Sequence, residues 1–353
     1  MAIGNKTTGA VNVQAPLDEL ALTLEETFGE RSRTNEAIAL RTLVAKQKSS
    51  RNFVEAIKEN GVLGRKVSIT WFDTCSKTAE DCSIDLCDAP EAGTQEELNK
   101  VDLEIENCWH DKFYVDEDLF ARSKMSAMDY VQRELNRAIS ALLKKANQHV
   151  VETIDAGVGV TSTGDSLIEI PDYNTVEGQA MGMALLQQQA TLANIDNPFL
   201  LNDGTWMLPA LVAELSRADR QFPWVANQLM DIAFDPTITT ELGAGEHGYL
   251  ISPNAYAVGS FNYNPSVITP WYGRGNNGVE MFSIPTGVDG LVADVYVSRI
   301  CKDAKANKHI YEYIVYLHAE MFLNPSECYF TDKVGTDVVT GIVKFGEQQE
   351  GPE

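Results

Sequence analysis

Four of the six cysteines, Cys75, Cys82, Cys87 and Cys108, fall in one stretch, and His110 lies beside the last of them. Four such ligands would suffice for a tetrahedral zinc ion, but structural zinc sites are usually built from closely spaced pairs, and no C-x₂-C pair is present. Free thiols, partly packed and partly exposed, are the plainer reading; a disulfide formed after release from the cell is a third. The five histidines are His110, His149, His247, His309 and His318. None stands in an H-E-x-x-H pattern or another ligand spacing. His149 is expected on the surface. His318-Ala-Glu320 places two polar groups on one strand face, which reads as a solvated or interface face. Gly273-Arg-Gly-Asn-Asn-Gly278 matches the dinucleotide string G-x-G-x-x-G, which needs a strand before it and a helix after it. Here Pro270-Trp-Tyr precedes and a strand-like run follows, so a glycine-rich loop or hairpin tip is expected. Gly157 to Gly164 lacks the lysine of a phosphate-binding loop. With no G-x-S-x-G elbow and no Cys/His arrangement that can be placed, the chain shows no catalytic constellation and calls for no cofactor.

The element that organises everything else is Ser126 to Ile154. Apolar residues recur there at Met128, Val131, Leu135, Ile139, Leu142, Leu143, Ala146, Val150 and Ile154. Steps of three and four put them on one stripe of a helix. Ser126 and Asp129 resemble a capping box. Asp155-Ala-Gly157 should end the helix, with Gly157 free to take the left-handed cap conformation. About 28 residues at roughly 1.5 Å each make a rod of about 42 Å, two to three times the usual length.

Charge narrows the function. The 353 residues carry a formal net charge of −23, with 44% hydrophobic and 22% charged residues. That is a folded composition, long enough for two or three compact units. An acidic chain is poorly suited to neutralising phosphates, which needs a Lys/Arg surface. No run of about 18 apolar residues spans a membrane, and the first ten residues lack an apolar signal core, so a cytosolic site of synthesis is expected.

In chain order, residues 1 to about 14 read as an extended arm. Leu17, Leu20, Ala21, Leu24 and Phe28 then form a short amphipathic helix, followed by helices over roughly Asn35–Lys48 and Arg51–Glu59. Residues 65–120 differ. Val67, Ile69 and Trp71 alternate with polar residues, as do Val101, Leu103 and Ile105 with Asp102, Glu104 and Glu106, so two strands are expected. The section holds fifteen acidic and five basic residues. So long a polar excursion between two strands reads as a projecting hairpin. After the long helix come a strand at Leu167–Ile170, a helix at Thr175 to about Ala193, a strand at Phe199–Leu201, a turn at Asn202-Asp-Gly and a helix from Trp206 to Arg217. Further strands fall at Tyr249–Ile251, Ala255–Val258 and Val279–Ile284. Leu291–Val297 and Ile310–Leu317 form a hairpin through Lys302–Lys308, and Thr340–Phe345 is a last strand before an acidic tail.

This order of parts resembles the major capsid proteins of tailed phages, the Hong Kong 97 type of shell fold. The likeness covers nearly the whole chain. It implies an α+β fold with an N-terminal arm (1–64, helical), an extended loop (65–120, a long β-hairpin) and a peripheral domain (121–217) with the spine helix at 126–154. An axial domain (218–290) and a return to the peripheral domain with the C-terminal strand and tail (291–353) would follow. Phe199-Leu-Leu-Asn-Asp-Gly-Thr-Trp206 is similar to the family's strand-turn-helix step. Asn324-Pro325 with Thr340-Gly-Ile-Val-Lys-Phe345 resembles C-termini of structural proteins from phages of Bacteroidetes-like hosts. The resemblance implies self-assembly into hexamers and pentamers of an icosahedral bacteriophage head, built in the host cytoplasm. The head would enclose double-stranded DNA without binding it specifically. Partners would be the chain itself, with scaffold, portal and decoration or auxiliary capsid proteins, and no membrane. Trp71, Phe72, Leu103 and Ile105 would fix the loop on a neighbour, and Leu17, Leu20, Leu24 and Phe28 would dock the arm. No catalysis, metal or cofactor would be needed. Alternatives are a tail-tube protein, disfavoured by the long helix, a capsid-decorating protein, and a cytosolic enzyme using the glycine-rich loop at 273–278.

Overall fold

A computed structural model of the chain describes residues 36–48, 50, 52–59, 62–71, 99–116, 127–161, 164–173, 175–192, 197–205, 230–262, 271–272, 280–303, 308–324 and 340–347. Its centre is the long helix, here α2, Ala127–Ala156. Val131, Leu135, Ile139, Leu142, Leu143, Ala146, Val150 and Ile154 are all buried, while Arg133, Arg137, Lys144 and Lys145 face out. Each buried aliphatic side chain contributes at most about 1.5–3 kcal/mol, so this stripe is what fixes the helix on the body. Gly157 ends the helix by hydrogen-bonding back to Thr153 and Ile154. It is not among the glycines at positive φ, so the expected left-handed cap does not form. It packs closely on a strand remote in sequence, where a Cβ would sit 2.7 Å from Leu323 Cδ1, so a larger residue would make that leucine shift.

A shorter helix, α1 (Ile38–Gln47), crosses α2, close to the expected span. Residues 53–59, read from the sequence as a third arm helix, form a strand instead. Strand β1 (Phe53–Glu59) pairs antiparallel with β2 (Val62–Trp71), which pairs with β3 (Asn99–Glu104). The available partner strand outweighs the weak helical spacing of so short a segment. A signal for this was present, since Glu59 and Val62 are paired across Asn60-Gly61, the dipeptide favoured in two-residue hairpin turns.

The second sheet holds the body together. Strand β4 (Cys108–Asp116) pairs with the 16-residue β13 (Lys308–Leu323), which pairs with β12 (Val292–Asp303), then β11 (Glu280–Pro285) and β10 (Trp271–Tyr272). The far end of β13 turns to a different partner, β9 (Tyr256–Ser260). Helix α2 packs across β13 and β4. The hairpin of β12 and β13 was legible in advance. Strand β4 was not, although Trp109, Phe113 and Val115 alternate along it.

The third sheet has the order β5-β14-β8-β6-β7, formed by Leu167–Ile170, Ile342–Glu347, Glu246–Ile251, Phe199–Asn202 and Asp231–Phe234. Strand β14, near the end of the chain, lies between β5 and β8. This sheet therefore draws strands from three segments that the sequence reading separates, 121–217, 218–290 and 291–353. Helix α3 (Val176–Leu192) lies against β5, with Thr175 Oγ1 accepting from Gly178 N at 2.9 Å as its N-cap. One large apolar cluster joins α1, α2 and both larger sheets. Among the described residues no helix is long and apolar enough to cross a membrane.

Candidate functional site

The three-stranded sheet is the feature that stands out from this body. Val67, Ile69 and Trp71 of β2 and Ile105 after β3 pack on Ala257 and Phe261, with Val54, Val101, Leu103 and Phe322 around them. This cluster is separate from the main core. Gly259 of β9 lies against it, and a Cβ there would be 3.2 Å from Phe322 and 3.3 Å from Val67. Among the described residues the sheet is three strands wide, with β1 and β3 at its edges. Between Trp71 and Asn99, which are paired, lie residues 72–98, with eight acidic residues and one basic.

Of the residues expected to fix this loop on a neighbour, Trp71 and Ile105 are each 1% exposed, buried within their own chain. Leu103 lies at the half-buried margin of the same cluster. Phe72, and Leu17, Leu20, Leu24 and Phe28 of the arm, lie outside the described residues. The edge of β3 presents Asp102, Glu104 and, just beyond, Glu106 to solvent. Such charges discourage indiscriminate strand pairing at an open edge.

The root of the sheet is a polar junction. Between β3 and β4 the chain crosses in three residues, 105–107. Ile105 N donates to Arg65 O at 2.7 Å. Asn107 donates from its backbone N to Glu320 Oε2 at 3.0 Å and from Nδ2 to both Glu320 oxygens at 2.7 Å. His149 Nε2, on α2, lies 3.2 Å from Glu320 Oε1 and 3.0 Å from Asn107 Nδ2. Burial works to raise the Glu320 carboxyl, but the hydrogen bonds from His149 and Asn107 outweigh it and hold the group below the usual carboxylate range. His149 is thus not the surface residue expected; its side chain is 23% exposed and engaged. Nor is His318-Ala-Glu320 a solvated face, for His318 is 2% exposed and Glu320 is the clasp just described. Burial, aided by Arg65, pushes the His318 imidazole down to about 4.

The cysteine cluster is not assembled among the described residues. Cys75, Cys82 and Cys87 lie outside them. Cys108 Sγ is 3.8 Å from His318 Nε2, and burial pushes its thiol up, Arg65 opposing more weakly. A neutral thiol beside a neutral imidazole is not an activated nucleophile. No group of three or more His, Cys, Asp or Glu among the described residues is placed to hold a metal ion. The glycine-rich stretch 273–278 also lies outside them, but its flanks are informative. Trp271 pairs with Met281 and Tyr272 with Glu280, antiparallel. The segment joins two strands of a hairpin, not a strand to a helix, so the dinucleotide context is missing.

Solved structures of phage origin resemble the chain. One from Mycobacterium phage Adephagia has 12% identity and a TM-score of 0.40, covering 82% of this chain and 87% of that one. The capsid structure of cyanophage P-SCSP1u has 10% identity and a TM-score of 0.42, with 84% and 86% covered. The mature capsid of bacteriophage PhiM1 has 7% identity and a TM-score of 0.37, with 83% and 84% covered. No family model and no curated protein matches the sequence.

Two further polar clusters tie the body together, and neither could be read from local spacing. Lys344 Nζ lies 2.8 Å from both Asp155 Oδ1 and Glu246 Oε2, and Tyr249 donates to Asp155 at 3.0 Å. Burial would lower the Lys344 ammonium, but these bonds raise it. His247 stacks on Tyr173 at 4.0 Å between ring centres, with Asp203 at 3.5 Å from Nδ1 and Glu347 at 3.2 Å from Nε2. The two carboxylates lie on opposite sides of the ring, so they do not converge on one point. Both clusters join strands that are remote in sequence.

Proposed function

We propose that this chain is a major capsid protein of a tailed bacteriophage, a subunit that builds hexamers and pentamers of an icosahedral head around double-stranded DNA. The observation that carries the reading is the three-stranded sheet beside a 30-residue helix. Three strands with two open edges and a small cluster at one place are marginal by themselves. Residues 72–98, which join two of them, carry eight acidic residues and one basic. Such an element is costly in a free subunit and is explained if neighbouring copies cover it. Contacts of ordinary size repeated by symmetry then hold a shell without any single tight interface. Leu103 and the residues around 72–98 are the loop's contact residues in this reading, and Leu17, Leu20, Leu24 and Phe28 are the arm's. Scaffold, portal and decoration proteins would be its other partners. An acidic subunit would let packaged DNA slide without specific binding.

The test is electron microscopy of the full chain after size-exclusion chromatography, alone and co-expressed with the head genes that neighbour its own. Closed shells, tubes or capsomer rings are expected. A strictly monomeric chain under both conditions overturns the reading.

A further inference from the structure

We propose that Glu320 is a latch that sets the angle at which the three-stranded sheet leaves the body, with Asn107 and His149 as its two catches. The inference rests on where the carboxylate sits. Along β13 the pairing partner changes after His318, whose partner is Cys108 of β4; from Ala319 onward the partner is β9. Glu320 is the second residue past that change. The same carboxylate receives both the backbone and the side-chain amide of Asn107, the last residue of the short link between the sheet and β4. It also receives His149 from the long helix. Three elements that are independent in sequence therefore meet on one side chain, which is 14% exposed.

The geometry is that of a positioning device. Asn107 reaches both oxygens, so the pair resists twisting as well as stretching. Ile105 N bonded to Arg65 O keeps the rung of β2 and β3 just above the link. The sheet is also held by the apolar seat on Ala257 and Phe261 and, at the start of β1, by Asn52 Nδ2 donating to Asn254 O at 2.9 Å and Tyr256 O at 3.2 Å. The seat is non-directional, because apolar packing fixes proximity rather than angle. The clasp is directional and lies at the pivot. His149 Nε2 faces a donor and an acceptor at once, Asn107 Nδ2 at 3.0 Å and Glu320 Oε1 at 3.2 Å. A bare Nε2 accepts from Asn107, whereas a protonated Nε2 donates to Glu320. His149 therefore catches Glu320 only when its Nε2 carries the hydrogen. This holds whatever the chain assembles into.

The experiment is hydrogen exchange by mass spectrometry on the full chain, comparing wild type with Asn107→Ala, Glu320→Ala and Glu320→Gln. Losing hydrogen bonds to a half-buried carboxylate should speed exchange over residues 62–71 and 99–107 by roughly tenfold or more. Exchange in α2 and in 308–317 should stay unchanged, and Glu320→Gln, which keeps one acceptor oxygen, should fall between. Asn107→Ala guards against misfolding of the Glu320 variants, since it leaves the carboxylate with His149. Unchanged exchange over 99–107 in Asn107→Ala overturns the proposal. So does a rise spread evenly over the whole body, which would make these residues ordinary stabilising contacts.

Discussion

Two single residues hold features that composition alone would not suggest. Asp235 is 2% exposed, and its carboxylate receives Ala39 N at 2.7 Å, Asn147 Nδ2 at 2.9 Å, and Thr237 N and Oγ1 at 2.9 and 2.6 Å. Asn147, within the apolar stripe of α2, accepts from Leu40 N at 2.9 Å. Together they cap the buried start of α1, where Ala37 is held at φ 54°. Asp235→Ala strands several buried donors at once, so it should cost about 3 kcal/mol or more in chemical denaturation, and Asp235→Asn clearly less. His318 supplies a pH signature. Its folded value of about 4 lies below the ordinary 6.5, so the unfolded chain binds a proton first as pH falls. Stability that is fully present above pH 6.5 should therefore decline toward about pH 4, at up to about 1.4 kcal/mol per pH unit. Urea midpoints measured across that window should show the slope in wild type and a flatter one in His318→Leu.

At the scale of elements, the long helix was legible because its burial is one-sided and periodic over many turns, which no short-range accident imitates. The hairpin of β12 and β13 was legible for a similar reason, two alternating runs around a polar turn. Residues 53–59 were not, because seven residues carry too little periodicity to separate helix from strand, and only the partner β2 decides. The link at 105–107 and the clasp on Glu320 depend on a residue more than two hundred positions away. The connection 72–98 is separable in this architecture, since Trp71 and Asn99 are already paired. Replacing it by Asn-Gly should leave a folded subunit with native far-UV circular dichroism, because that dipeptide closes two-residue hairpins. The same variant should lose shell formation in the electron microscope; normal shells would remove residues 72–98 from the assembly contacts.

At the scale of the molecule, charge and assembly oppose each other. A subunit at −23 repels its copies at low ionic strength, and salt shortens the range of that repulsion from about 30 Å at 0.01 M to about 8 Å at 0.15 M. Static light scattering on the full chain should therefore show assembly rising with sodium chloride across that range. Assembly that weakens with salt would mean that paired charges, not apolar contact, hold the copies together.

The α+β composition, the length and buried face of the long helix, the acidic connection and the lack of a recognisable catalytic motif can all be read from the residues in order. Each of these is written in local spacing or in composition. The folded chain was needed to show that β14 enters the middle of a sheet it shares with β5 and β8, and that β13 pairs first with β4 and then with β9. It alone placed Trp71 and Ile105 in a seat within their own chain, and gathered Asn107, His149 and Glu320 on one carboxylate. Those outcomes depend on pairing and burial between distant segments, and local spacing does not say which segment pairs with which.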